Sequence, residues 1–241
     1  MSSIYQNIIA SSSRDEKLLA VLIDPDKMKV DQVSNFIVKV NQSIATHIFV
    51  GGSEVGEGIT EKLVVEIKKY TNLPVVLFPG DVIQITNEAD SILFLSLISG
   101  RNPDYLIGKH VEAVSILKQT NLEVLPTGYM LFENGKQTSV ERVSETKPIR
   151  RDAEQTIVDT AKAGEFLGMK LIYLEAGSGA THPIEPKTIQ NVKKELNIPL
   201  IVGGGIRSKI ELESAYKAGA DLVVIGTAFE EDEGFFEELR K

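Results

Sequence analysis

Eight short, nearly unbroken apolar runs punctuate this chain from end to end, and they constrain its fold more than any other feature. They lie at Leu18–Ile23, His47–Val50, 74–78, 91–99, 123–126, 170–174, 199–202 and 221–225. Longer stretches with helical spacing of apolar residues separate most of them, at 30–40, 60–70, 104–120, 153–167, 186–196 and 208–218. A strand that is apolar on both faces must be covered on both faces, as in a parallel sheet flanked by helices. Strand and helix alternate throughout, which is the pattern of the α/β class. Eight such units in 241 residues predict one (β/α)8 TIM barrel occupying residues 1–241 as a single domain. A doubly wound open sheet is the alternative, but its early GxGxxG turn is missing.

Two segments depart from the repeat. Only residues 81–90 connect the third run to the fourth, too few for a full crossover helix, so the third helix is expected to be reduced or missing. Residues 133–151 are polar, rich in Lys and Arg, and lack helical periodicity; such a loop is expected to be either a functional lid or disordered.

Composition narrows the function classes. Asp and Glu total 34 against 26 Lys and Arg, a net charge of −8, which argues against nucleic acid as the main partner. With no cysteine, disulfides and thiolate zinc sites are excluded. The first residues lack the basic start and sustained apolar run of a signal peptide, and no run approaches the ~18 apolar residues of a membrane span, so a cytoplasmic location is expected.

In a barrel of this kind, chemistry sits at the C-terminal ends of the strands. The residues that stand there are unusual. Gly203-Gly204-Gly205 ends the seventh run ahead of a helix from Ser208, and Gly226-Thr227 ends the eighth. Glycine leaves backbone amides open to an anion, and barrels commonly bind phosphate between the loops after strands seven and eight. Asp24, in Asp24-Pro25-Asp26-Lys27, and Ser53 across the mouth could hold Mg2+, which takes one or two carboxylates and keeps several waters. Asp24 could equally cap the turn before the next helix. Glu175 follows an apolar strand and is placed for general-base work, or for a salt bridge inside the barrel. Tyr173, two residues earlier, shares its side of the strand, and its hydroxyl could meet a substrate oxygen or simply pack. His47 and His110 read as structural, whereas His182 lies nearer the site. No HExxH spacing and no nucleophile elbow occurs.

Taken together, LIDPDK, VGGS, FPG, YLEAGSG, GGGI and IGTA resemble the geranylgeranylglyceryl phosphate synthases, a branch of the prenylglyceryl phosphate synthases. GGGI and IGTA recur in many phosphate-binding barrels, whereas DPDK, GGS and YLEAGSG in combination are specific. The resemblance covers essentially the whole chain. It implies a Mg2+-dependent prenyltransferase that joins sn-glycerol 1-phosphate to a polyprenyl diphosphate, releasing diphosphate and leaving an ether-linked lipid precursor. It further implies that Asp24 and Ser53 bind the metal, and that Tyr173, Leu174, Glu175, Ala176, Gly177, Ser178, Gly179, Gly204, Gly205, Gly226 and Thr227 bind the glycerol phosphate. Glu175, with Tyr173, would be catalytic, Glu175 as proton acceptor. Leu22 stands where a related bacterial branch carries lysine, so the chain is more similar to the archaeal-type branch. A homo-oligomer and transient membrane contact for product release are expected partners. The polyprenyl tail is expected to leave through the thin flank at 81–90, past Ile83, Ile85 and the fourth strand. The competing readings are a phosphosugar isomerase or aldolase, which would want a carboxylate after the fifth strand at Thr127-Gly128 or a lysine in the mouth, and a non-catalytic phosphometabolite sensor.

Overall fold

The computed structural model describes residues 3–241. Eight parallel strands close into a barrel in sequence order. They are β1 (Leu18–Ile23), β2 (His47–Val50), β3 (Val75–Leu77), β4 (Ser91–Leu97), β5 (Glu123–Leu131), β6 (Leu171–Glu175), β7 (Leu200–Gly203) and β8 (Leu222–Ile225), with β8 pairing back onto β1. The apolar runs are continuous in sequence, but strand alternation divides them into two cores. Leu18 and Ala20 point into the barrel with Phe49, Leu93, Leu125, Tyr173 and Val224. Leu19, Val21 and Ile23 point outward under the helices. Each fully buried aliphatic side chain contributes about 1.5–3 kcal/mol relative to exposure.

The helices are α1 (Ile4–Ser13), α2 (Val33–Gln42), α3 (Ile59–Lys68), α4 (Lys109–Leu117), α5 (Ser139–Ser144), α6 (Glu154–Phe166), α7 (Pro186–Glu195), α8 (Lys209–Ala218), α9 (Thr227–Glu231) and α10 (Phe235–Glu238). The sequence pattern did not reveal α1. It is short and serine-rich, and it closes the bottom of the barrel. Ile4 and Ile8 join the interior core. The Glu123 carboxylate, at the start of β5, accepts from the amides of Ile4 and Tyr5, and Asp221, just before β8, accepts from Ser12 Oγ at 2.7 Å.

The expected gap in the helical layer is present. Between β3 and β4 the chain makes only one 3-10 turn, Val82–Gln84, capped by Asp81. Two expectations are corrected. The fifth strand does not end at 126 but runs to Leu131, because Thr127, Gly128 and Tyr129 stay in register with β6; its mouth residues are therefore Tyr129 and Leu131. Segment 133–151 is not structureless, since it contains α5, whose N-cap Thr138 accepts from the Glu141 amide. The expected helix 104–120 also begins as a π-helical turn, Asp104–Gly108, before α4. Such turns frequently mark functional sites.

Candidate active site

One cavity of ≈ 340 Å3 opens at the C-terminal ends of the strands and runs sideways toward β4 and α4. Asp24, Ser53, Tyr173, Glu175, Gly177, Ser178, Gly179, Gly204, Gly205, Gly226 and Thr227 all line it, although they come from five strand ends. Leu174 and Ala176 do not. Strand alternation turns Leu174 outward, and both residues are fully buried in the layer beneath the helices, so their side chains cannot touch a ligand in the mouth.

Glu175 ends β6 and is buried, with 6% of its surface exposed. Its Oε1 accepts from the Gly177 amide at 2.6 Å. Burial raises its pKa above the ordinary carboxylate value, and the Gly177 amide and the neighbouring Tyr173 phenol only partly oppose this. A carboxylate so placed is a better proton acceptor than an exposed one. Tyr173 is fully buried; its hydroxyl lies beside the Glu175 carboxylate but makes no hydrogen bond of ordinary geometry. Burial, and then the Glu175 charge, holds that phenol well above its ordinary value, so it stays protonated and can donate. The ring stacks on Phe78 at 5.4 Å and meets Tyr129 edge-on at 5.3 Å. Gly203 opposes it, and a β-carbon there would collide with the hydroxyl.

Gly204 and Gly205 stand at the mouth with φ of +82° and +74°. This left-handed turn is one that other residues adopt only at a cost. A β-carbon on Gly205 would lie 2.8 Å from the His182 carbonyl carbon. The N-terminus of α8 is capped by its own residues, Ser208 accepting from the Glu211 amide and the Glu211 carboxylate from the Arg207 amide. His182 contributes backbone and not its ring. Arg151 donates to the carbonyls of Glu133, Pro183 and His182 at 2.7, 2.8 and 2.9 Å, tying the loop after β6 to the loop after β5.

Opposite Gly204 and Gly205, Asp24 makes the turn cap that its sequence context allowed. Its Oδ1 accepts from the Asp26 amide at 3.1 Å, the turn cap, while its side chain still faces the cavity. Gly52 abuts it, a β-carbon there falling 2.8 Å from Oδ1, and Ser53 follows.

The sideways arm of the cavity is apolar. Val82 and Ile85 line it with Leu93, Phe94 and Leu95 of β4 and Ala113 of α4. Ile83 does not; it is 50% exposed on the outer rim. Sequence reading missed several wall residues. His110, read as structural, faces the arm, its ring 4.3 Å from Phe94 and its Nδ1 buried without a partner. Tyr129 became visible as a mouth residue only once β5 was extended. Val140 and Val143 come from α5, which lies over the arm. The Tyr105 hydroxyl holds that helix through the Val143 carbonyl at 2.9 Å, and an Arg142–Glu54 ion pair holds its other side.

A single mouth thus places a glycine turn, a buried carboxylate and an apolar arm side by side. The sequence matches the PcrB family over residues 12–241. The chain belongs to the PcrB family. Among PcrB relatives, a geranylgeranylglyceryl phosphate synthase from Flavobacterium johnsoniae is 54% identical over 98% of both chains. Another from Zunongwangia profunda is 57% identical, over 97% of this chain and 99% of its own. The crystal structure of (S)-3-O-geranylgeranylglyceryl phosphate synthase from Thermoplasma acidophilum, in complex with its substrate sn-glycerol-1-phosphate, superposes with a TM-score of 0.93 at 32% identity, covering 99% of this chain and 96% of that one. A tryptophan synthase structure from Pyrococcus furiosus, at 16% identity and a TM-score of 0.54 over 92% of this chain and 94% of that one, shares the fold alone.

Proposed function

We propose that this protein transfers the prenyl group of geranylgeranyl diphosphate, or a similar polyprenyl diphosphate, to a hydroxyl of sn-glycerol 1-phosphate, releasing diphosphate and forming an ether. The observation that carries the reading is the joining, in one cavity, of a glycine phosphate turn, a buried Glu175 and an apolar arm that leaves the barrel where the third helix is reduced. The arm is apolar, which suits a prenyl tail rather than a polar phosphosugar. The rivals also lack their groups: the mouth of β5 presents Tyr129 and Leu131 rather than a carboxylate, and Lys170 lies at the bottom over the Tyr5 ring.

The chemistry follows from the positions. Gly204, Gly205, Gly226 and Thr227 hold the phosphate, which fixes the acceptor hydroxyl by positioning. The Tyr173 hydroxyl donates to a substrate oxygen, satisfying a buried group that otherwise makes no hydrogen bond of ordinary geometry. Glu175 takes the proton of the attacking hydroxyl as the new C–O bond forms and the C–O bond to diphosphate breaks. The faces of Phe78, Tyr129 and Tyr173 border the same space and exclude water from the allylic carbon.

Among the described residues, no group of three or more His, Cys, Asp or Glu could hold a metal ion by itself. The donors present, Asp24 and Ser53, fit an Mg2+ that arrives on a diphosphate and keeps several waters. Bound there, it would neutralise the diphosphate and improve it as a leaving group. Self-association is supported by exposed apolar side chains on and beside α4, with Ile107 60% and Val111 66% exposed. No helix among the described residues is long and apolar enough to cross a membrane.

The reading is tested by incubating the protein with labelled sn-glycerol 1-phosphate, Mg2+ and prenyl diphosphates of several lengths. Labelled ether lipid is expected from the wild type, with much less from Asp24→Asn. Absence of product with every donor would refute it.

A further inference from the structure

Three cationic side chains reach the cavity wall: Lys27, Lys109 and Arg207. Two are engaged away from the metal-side carboxylate, Lys109 with Asp81 and Glu112, and Arg207 with Glu231. Lys27 is different. Its Nζ lies 3.5 Å from Asp24 Oδ2 and 2.9 Å from Glu230 Oε2. The backbone explains the placement. The Lys27 and Met28 amides both donate to the Asp24 carbonyl, at 3.1 and 3.0 Å, forming the turn that directs the side chain back over the mouth. Glu230 sits on α9, which begins at Thr227, the residue bordering the phosphate turn from β8. The ammonium thus spans the rim between the carboxylate proposed to anchor the donor and the edge that holds the acceptor.

Neither contact is a strong reason for the lysine to be there. The side chain is 51% exposed, the Asp24 distance is long, and exposed pairs of this type contribute little to stability. What the arrangement does is electrostatic. Asp24 and Glu230 place two negative charges where a diphosphate must come, and Lys27 is the one cation among the described residues that forms an ion pair with Asp24. Burial lowers its proton affinity, but the Glu230 and Asp24 charges outweigh that, so the side chain stays an ammonium.

We propose that Lys27 binds the diphosphate of the donor, and that Glu230 holds it ready when the mouth is empty. The proposal rests on reading this site as a prenyl-transfer centre. A diphosphate arriving at Asp24 offers the ammonium several oxygens with more charge than the single carboxylate it meets at 3.5 Å, and its flexible stem needs only a rotamer change to reach them. Glu230 then acts as a competitor. Removing Lys27 weakens diphosphate binding, whereas removing the charge of Glu230 strengthens it. An ordinary structural ion pair would respond alike to both changes.

The test is calorimetric titration of the full-length protein with inorganic diphosphate, with and without Mg2+, and separately with sn-glycerol 1-phosphate. Four proteins are compared at one ionic strength: wild type, Lys27→Met, Lys27→Arg and Glu230→Gln. Circular dichroism checks that each is folded. Lys27→Met is expected to weaken diphosphate binding by about tenfold or more, with glycerol phosphate affinity changed by less than about twofold. Lys27→Arg is expected to keep most of the affinity, and Glu230→Gln to tighten diphosphate binding a few-fold. Unchanged diphosphate binding in Lys27→Met overturns the proposal, as does equal weakening toward both ligands, or weakening in Glu230→Gln. A wild type that binds glycerol phosphate but no diphosphate would instead count against the prenyl-transfer reading.

Discussion

Gly204→Ala isolates the proposed phosphate turn from the rest of the barrel. Gly204 sits at φ +82°, where an L-residue pays about 1–2 kcal/mol. The added methyl would also fall onto Glu175 Oε1 and lie 2.8 Å from the Gly177 amide nitrogen, breaking into the hydrogen bond that orients the carboxylate. Loss of a bond to a charged group costs about 1.5–3 kcal/mol. The variant should therefore lose about 2.5–5 kcal/mol of stability. At about 2–4 °C of melting temperature per kcal/mol for a chain of this size, the loss is readily visible in calorimetry. Gly168→Ala is the control. That glycine sits at φ +91° in the turn before β6, and a methyl group there would meet nothing within 4 Å, so the variant carries the backbone strain without the collision. Gly168→Ala should lose only about 1–2 kcal/mol and keep wild-type kinetics. Gly204→Ala should in addition raise KM for sn-glycerol 1-phosphate and lower kcat, while leaving KM for the prenyl donor near wild type. If the two variants lose equal stability and neither changes kinetics, the placement of the phosphate turn against Glu175 is wrong.

Three further outcomes are expected. Ala113 of α4 lines the apolar arm, so Ala113→Phe should shorten the prenyl chains accepted, measured as the ratio of turnover with short and long donors. Burial raises Glu175, and it must be ionised to accept a proton; turnover should therefore fall as pH drops through a value above the ordinary carboxylate range, and Glu175→Asp should shift that limb. His47 is buried at the start of β2 and its pKa is lowered from 6.5 to about 4 by burial. The folded protein thus favours neutral His47: this contribution to stability is complete above pH 6.5 and is lost as pH falls toward about 4. It amounts to about 3 kcal/mol, and His47→Gln should flatten that part of the stability curve.

Most of the barrel was legible because its signals are local. Continuous apolar runs such as LLAVLI and HIFV mark strands buried on both faces, and their order sets the topology. The mouth was legible because glycines and carboxylates interrupt those runs at their ends. What stayed hidden depended on contacts distant in sequence. Strand β5 was cut short because Pro126-Thr127-Gly128 reads as a turn; pairing with β6 keeps it extended. Helix α1 is short, with a serine-rich second half, and is held by Glu123 and Asp221, more than a hundred positions away. Helix α5 is a single short turn region fixed by Glu54 and Tyr105 rather than by periodicity. His110 looked like helix packing, and only the missing third helix turns its neighbourhood into a cavity wall.

The central claim is that Glu175 accepts the proton while the glycines hold the phosphate, and a single-turnover comparison of wild type with Glu175→Gln tests it most directly. Gln keeps the shape of the side chain but not its basicity. The variant should bind sn-glycerol 1-phosphate within a few-fold of wild type and form the ether about a hundredfold more slowly or worse. Ether formation at a near wild-type rate by a variant that binds the acceptor normally would contradict the account.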